Sequence, residues 1–236
     1  MRTPAIRPRV DQVSELSRGL NLPLAAIEDD LLAVIAQGLE RAFNDIQASA
    51  PQIVSSGTEA EVTALLETRL NALIEIEPLW RQLVLCVARG KESLSVDGSH
   101  LEKRPDLSIF LTSRARAFPL VAEAKIIDSA SGKTELLYCS QGVRRFLIGE
   151  YGWGGREAFL LAYVRDGSAI LTKLVPMLAA PSQGSKDYAT EAGPAPHAIG
   201  VKDSARSQHT RSFVYAHQPA PNDQPGSIGL WHIWLS

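Results

Sequence analysis

Within the stretch "KRPDLSIFLTSRARAFPLVAEAK", Asp106 opens one apolar run, while Glu123 and Lys125 stand inside a second. A charged side chain in a buried strand is costly unless it is paired or binds a metal. Residues two apart in a strand share a face, so Val121, Glu123 and Lys125 project one way and Ala122, Ala124 and Ile126 the other. In the preceding run Leu107, Ile109 and Leu111 share one face, which leaves Asp106 on the other with Ser108 and Phe110. Paired as neighbours, these strands bring Asp106 and Glu123 together beside Lys125 at one end of a sheet. Two carboxylates with an ammonium suit metal-assisted phosphodiester hydrolysis. The acids and a backbone carbonyl are hard oxygen ligands for Mg²⁺ or Mn²⁺. The metal polarises a phosphoryl oxygen and acidifies a bound water, and the lysine orients that water or stabilises developing charge.

These strands need elements to hold them. Apolar residues at Leu24, Ile27, Leu31, Ile35, Leu39, Phe43 and Ile46 recur at helical spacing, so a long amphipathic helix is expected from Leu24, with Pro23 in its first turn. Thr58 and Glu61 form a capping-box pair ahead of a second helix, "EAEVTALLETRLNALIEI". "RQLVLCVARG" reads as a strand, "SVDGSH" as a hairpin turn, and "DLSIFLTS" and "FPLVAEAKII" as two further strands. A helix over "KTELLYCSQGVRRFLIGEY" and strands over "EAFLLAYVRD" and "SAILTKLVPML" follow. Residues 179–211, rich in Ala, Pro, Gly and Ser, read as an irregular loop and candidate substrate flap. "SFVYAH" and "SIGLWHIWLS" regain strand character. The expected fold is α/β, a mixed sheet flanked by helices. It forms a single domain over 1–236: an N-terminal helical extension at 1–50, a core at 58–178, the loop at 179–211 and a C-terminal β extension at 212–236.

A hydrophobic content of 45% excludes a globally disordered chain, and a net charge of −2 excludes a general polycation, so nucleic-acid contact would need a local basic patch. Cys86 and Cys139 lack zinc-site spacing and read as buried reduced thiols. The basic N-terminus has no apolar run of signal length and no membrane-length run occurs elsewhere, so a cytoplasmic protein without membrane association is expected.

"R-P-D-L" before an apolar strand and "V-A-E-A-K" in the next resemble the signature of the PD-(D/E)xK nuclease superfamily, which has the restriction-endonuclease-like fold. The order helix, hairpin strands, ExK strand, helix, strand matches that family over about half the chain, from Thr58 to Asp166. The resemblance implies a divalent-metal-dependent nuclease, with DNA as the expected partner and RNA left open, of a bacterial restriction or anti-phage defence kind. The resemblance also implies a homodimer or a subunit of a defence complex. By that resemblance Asp106, Glu123 and a helix acid, Glu61 or else Glu59, ligate Mg²⁺ or Mn²⁺, and Lys125 positions the attacking water. Gln141 assists at the site, and Arg144 or Arg145 holds a phosphate.

Plainer readings compete with each of these. Asp106 can be a turn residue, Glu61 only a helix cap, with Glu67 as a further substitute, and Gln141 a solvated side chain. Arg144 and Arg145 are adjacent, so at most one faces the site. His209 and Arg211 in "SQHTRSF" are candidate nucleic-acid contacts, whereas His232 between indoles reads as packing. "GEYGWGGRE" lacks the Lys-Ser/Thr of a phosphate loop. The rival functions are a catalytically inactive nuclease-like module that binds nucleic acid or protein, and a phosphodiesterase of small substrates.

Overall fold

Two eight-residue runs, Glu157–Val164 and Ile228–Leu235, are buried at every position. Strands apolar on both faces belong at the centre of a sheet covered on both sides, and that is where they lie. The computed structural model describes residues 10–99, 103–180, 187–196, 200–216, 218, 220 and 222–236. Outside these lie the first nine residues of the basic N-terminus, His100 of "SVDGSH", and positions 181–186 and 197–199 of the Pro-rich segment.

The chain runs α1 (Val10–Leu16), α2 (Asp29–Ser49), α3 (Pro51–Ser56), α4 (Glu59–Ile76) and α5 (Pro78–Leu83), then β1 (Val84–Arg89), β2 (Leu107–Leu111) and β3 (Leu120–Ile127). Next come α6 (Glu135–Tyr138), a π-helical turn (Cys139–Val143), α7 (Arg144–Leu147), β4 (Glu157–Val164), α8 (Leu174–Ala179), β5 (Thr190–Pro196), β6 (Ser204–His209) and β7 (Ile228–Leu235). The seven strands form one mixed sheet in the order β1-β2-β3-β4-β7-β6-β5. The β3, β4 and β7 strands are parallel, and antiparallel pairs flank them. One face packs on α2 and α4 through Ile35, Leu39, Phe43, Val62, Leu66 and Leu70. The other packs on α6, the π-helical turn, α7 and α8 through Tyr138, Val143, Phe146, Leu174 and Leu178.

Several expectations are corrected. The first long helix starts at Asp29, not Leu24, with Asp29 and Asp30 in its first turn, where acids complement the helix dipole. Far from being an appendage, it stacks Phe43 on Tyr163 of the central strand. "SAILTKLVPML" gives no strand. Ile170, Leu174 and Leu178 recur every fourth residue and are buried together, which suits helix α8. The strands β5 and β6 lie inside the supposed loop, whereas the described residues 212–216 of "SFVYAH" form none. An edge strand such as β5 tolerates Pro194 and Pro196. The buried positions of β6 are Ala205, Ser207 and His209, too small or polar to show as hydrophobic alternation. The C-terminal strand is no extension, since β7 lies between β4 and β6. Of the two free thiols, Cys139 is buried but Cys86 is exposed beside an irregularity in the β1–β2 register. No described helix is long and apolar enough to cross a membrane.

Candidate active site

The site forms where β2 and β3 part. They pair only through Leu107↔Ala122, Ser108↔Val121 and Ile109↔Leu120, while β3 continues to Ile127 with its other edge on β4. Buried backbone donors must find acceptors, and past the fork two side chains supply them. Asp106 Oδ2 accepts the Ala124 amide at 2.8 Å. Glu59 Oε2 accepts the Ile126 amide at 3.2 Å. Asp106 therefore stands next in register to the Ser108–Val121 pair, on the same sheet face as Glu123.

Lys125 Nζ is the hub. It donates to Glu123 Oε1 at 2.8 Å, to Glu59 Oε1 at 3.2 Å and to the Ala124 carbonyl, and it lies 3.6 Å from Asp106 Oδ2. Burial alone would lower the lysine's pKa, but Glu123, Asp106 and Glu59 outweigh it and raise it. Glu123 is 1% exposed. Burial first, and then the neighbouring Asp106 carboxylate, push its pKa up to about 7, against the pull of Lys125 and Arg145. Burial likewise raises Glu59.

Arg145 closes the far side, with Nη1 donating to Glu123 Oε1 at 2.9 Å and to the Tyr151 hydroxyl at 2.8 Å. Tyr151 in turn donates to the Arg104 carbonyl at 3.2 Å. Glu150, paired with Lys103 at 3.0 Å, lies 3.8 Å from Arg145. The π-helical turn at Cys139–Val143 separates α6 from α7 and therefore sets which of the adjacent arginines faces Glu123.

The helix acid at the cluster is Glu59, not Glu61. Glu61 lies at the third helical position, and its carboxylate accepts the Thr58 amide at 2.7 Å and the Thr58 hydroxyl at 2.8 Å. Those bonds hold it in the capping box and lower its pKa. Gln141 and Arg144 are exposed, and the side chains that bond Glu123 are Lys125 and Arg145. His209 and Arg211 are no nucleic-acid contacts, because both are buried. His209 joins Ser207 at 2.7 Å and the Tyr188 carbonyl at 2.7 Å. Arg211 donates to the carbonyls of Gly226, Trp153, Gly155 and Pro225, pinning the segment before β7 to the glycine turn. Sequence reasoning missed Tyr151, whose only signal was an aromatic residue set in a glycine-rich turn.

The donor set suits a hard divalent cation: carboxylates of Asp106 and Glu123 beside the Ala124 carbonyl. Glu123 Oε2 is buried with no hydrogen-bond partner among the described residues, and an acceptor in that state gains from a cation. Three carboxyl groups, of Asp106, Glu123 and Glu59, face the cationic side chains of Lys125 and Arg145. The carboxylates gather round the ammonium, however, and among the described residues no group of three or more His, Cys, Asp or Glu is spaced to hold a metal. Compared with family models, with curated proteins and with solved structures, the chain matches none.

Proposed function

We propose that the protein is a divalent-metal-dependent nuclease with the restriction-endonuclease-like fold, hydrolysing phosphodiester bonds of DNA in a restriction or anti-phage defence setting. The observation that carries this reading is the ammonium of Lys125 held among Glu123, Glu59 and Asp106 at the β2–β3 fork. Asp106, Glu123 and the Ala124 carbonyl would hold Mg²⁺ or Mn²⁺, with Glu59 at its edge. When bound, the ion supplies charge neutralisation at the phosphoryl group and an acidified water.

The chain's own residues divide the remaining work. Lys125, its pKa raised, is an ammonium at neutral pH; it orients a water through its protons and stabilises negative charge as that builds up. Arg145 holds the Glu123 carboxylate in place, and Tyr151 fixes Arg145. Glu59 ties the first turn of α4 to the β3 edge and keeps Lys125 beside Glu123. The test is incubation of DNA and of RNA with Mg²⁺ or Mn²⁺: cleavage that EDTA abolishes supports the reading, and absence of cleavage of either polymer with both metals overturns it.

A second reading has its own observation. Lys125 and Arg145 already offset the buried acids, and Asp106 and Glu59 also serve as backbone acceptors. A catalytically inactive module of this fold, binding nucleic acid or protein, would keep such a cluster as a structural clasp. It would show no Mn²⁺ uptake at Glu123.

A further inference from the structure

The chain turns sharply after α7, and the turn brings an acid back to the arginine of the site. Gly149 has φ +76°, a left-handed conformation that glycine adopts without strain. The Glu150 amide donates to the Arg145 carbonyl at 2.9 Å, the long closing bond of a Schellman turn. The turn is pinned from outside as well. The Val96 amide donates to the Gly149 carbonyl at 3.0 Å, and a Cβ on Gly149 would stand 2.5 Å from the Val96 side chain. The backbone therefore sets Glu150 beside Arg145.

The two side chains stop short of a full contact. Arg145 serves Glu123 and Tyr151 through Nη1, while its Nε faces Glu150 Oε2 at 3.8 Å, too long for a hydrogen bond. That oxygen is buried and has no hydrogen-bond partner among the described residues. The other oxygen of Glu150 is paired with Lys103 at 3.0 Å. Glu123 Oε2 is in the same unpartnered state, so one guanidinium stands between two carboxyl groups, each with an acceptor left over. A buried acceptor without a donor is uncommon and costly. A planar guanidinium carries donors on more than one edge and can hold two carboxylates at once.

Charge decides how far Arg145 leans to each acid. In the metal-free site Glu123 draws it through Nη1. With Glu123 engaged by a divalent ion, Arg145 would meet less negative charge on that side and a like charge beside it. A carboxylate behind the arginine offsets that repulsion. The gap to close is small, from 3.8 Å to the ordinary bond length of about 2.9 Å.

We infer that Glu150 is a positioning residue of the site, taking the Nε edge of Arg145 when Glu123 engages a divalent ion. The inference rests on the metal-dependent reading of the cluster and adds a residue to it. Tyr151 keeps its bond to Nη1 throughout, so the guanidinium pivots in place instead of leaving the site.

The experiment is a double-variant cycle on the full chain. Mn²⁺ binding to the wild type, Glu150→Gln, Arg145→Met and the two combined is followed by electron paramagnetic resonance without nucleic acid. Glu150→Gln should weaken Mn²⁺ binding roughly five- to tenfold when Arg145 is present and less than about twofold beside Arg145→Met. A loss of equal size in both backgrounds would make Glu150 only a distant charge and overturn the inference, as would equal affinities of the wild type and Glu150→Gln. A second readout is one that a merely structural role would not move: the ¹⁵N–¹H signal of Arg145 Nε, identified by its absence in Arg145→Met. With Mg²⁺ that proton should exchange more slowly with solvent in the wild type and not in Glu150→Gln; an unchanged signal in the wild type would overturn the inference. Metal uptake without coupling between Arg145 and Glu150 strikes this inference alone. Coupling without cleavage of DNA or RNA by the same samples strikes the nuclease reading and leaves the role of Glu150 standing, whereas a wild type that takes up neither ion overturns both.

Discussion

Glu59, the first residue of α4, reaches Lys125 of β3 at 3.2 Å, bridging 66 positions of chain. Its second oxygen takes the Ile126 amide. One carboxylate thus closes the free edge of the strand and holds the lysine, which ties the geometry of the cluster to the docking of a helix terminus.

That relationship separates two neighbouring acids. Glu59→Gln should cut DNA cleavage by about tenfold or more, since it loosens Lys125. Glu61→Gln should leave cleavage within about twofold and lower the urea midpoint only slightly, through the weakened capping box. Rates on supercoiled DNA and urea midpoints of both variants check this. The opposite ranking would return Glu61 to the site.

Under the proposed reading, Lys125 would compete with a bound metal for the same oxygens. Lys125→Met should abolish cleavage and, without metal, lower stability by roughly 3–5 kcal/mol, because three acids lose their buried partner. Mn²⁺ should then raise the melting temperature of Lys125→Met more than that of the wild type. An equal response to Mn²⁺ would place any bound ion elsewhere.

How the sequence carried this information depends on the kind of signal. The carboxylates at 106 and 123 and the lysine at 125 were legible because strand alternation alone sets their faces, and the β2–β3 register brings them together. The choice between Glu59 and Glu61 was not legible. Both sit in the first turn of α4, and only the packing angle of that helix on β3 decides which reaches Lys125. Arg145 rather than Arg144 faces Glu123 because a π-helical turn precedes them, and no residue pattern announces that turn. The strands β5 and β6 were hidden by Pro, Gly, Ser and Ala, residues that an edge strand and its neighbour tolerate but that carry no hydrophobic period.

Stability against pH should show two opposite signs. Glu123, raised from 4.5 to about 7, contributes stability that is full below 4.5 and lost as pH rises through 7. Metal-free wild type should therefore lose stability relative to Glu123→Gln over that interval. His232, fully buried and pushed by burial from 6.5 down to about 3, stays neutral in the fold. The unfolded chain binds its proton first, so this histidine makes stability rise with pH from about 3 to 6.5. Urea midpoints of the wild type, Glu123→Gln and His232→Gln at several pH values separate the two contributions.

Arg145 should act as a positioning residue. Arg145→Lys keeps a charge near Glu123 but loses the fork shared with Tyr151, and should retain more activity than Arg145→Ala. Tyr151→Phe should lower cleavage less than either. If Tyr151→Phe is the most damaging of the three, the hydroxyl has a direct role that this geometry does not assign.

On the proposed reading, Asp106 and Glu123 bind a divalent ion that cleavage requires. The most direct measurement titrates Mn²⁺ into the wild type and Glu123→Gln, following bound metal by electron paramagnetic resonance and cleavage of supercoiled DNA on the same samples. Bound metal and cleavage should rise together in the wild type and both be lost in the variant. Cleavage without bound metal, or metal uptake unchanged in Glu123→Gln, would contradict the account.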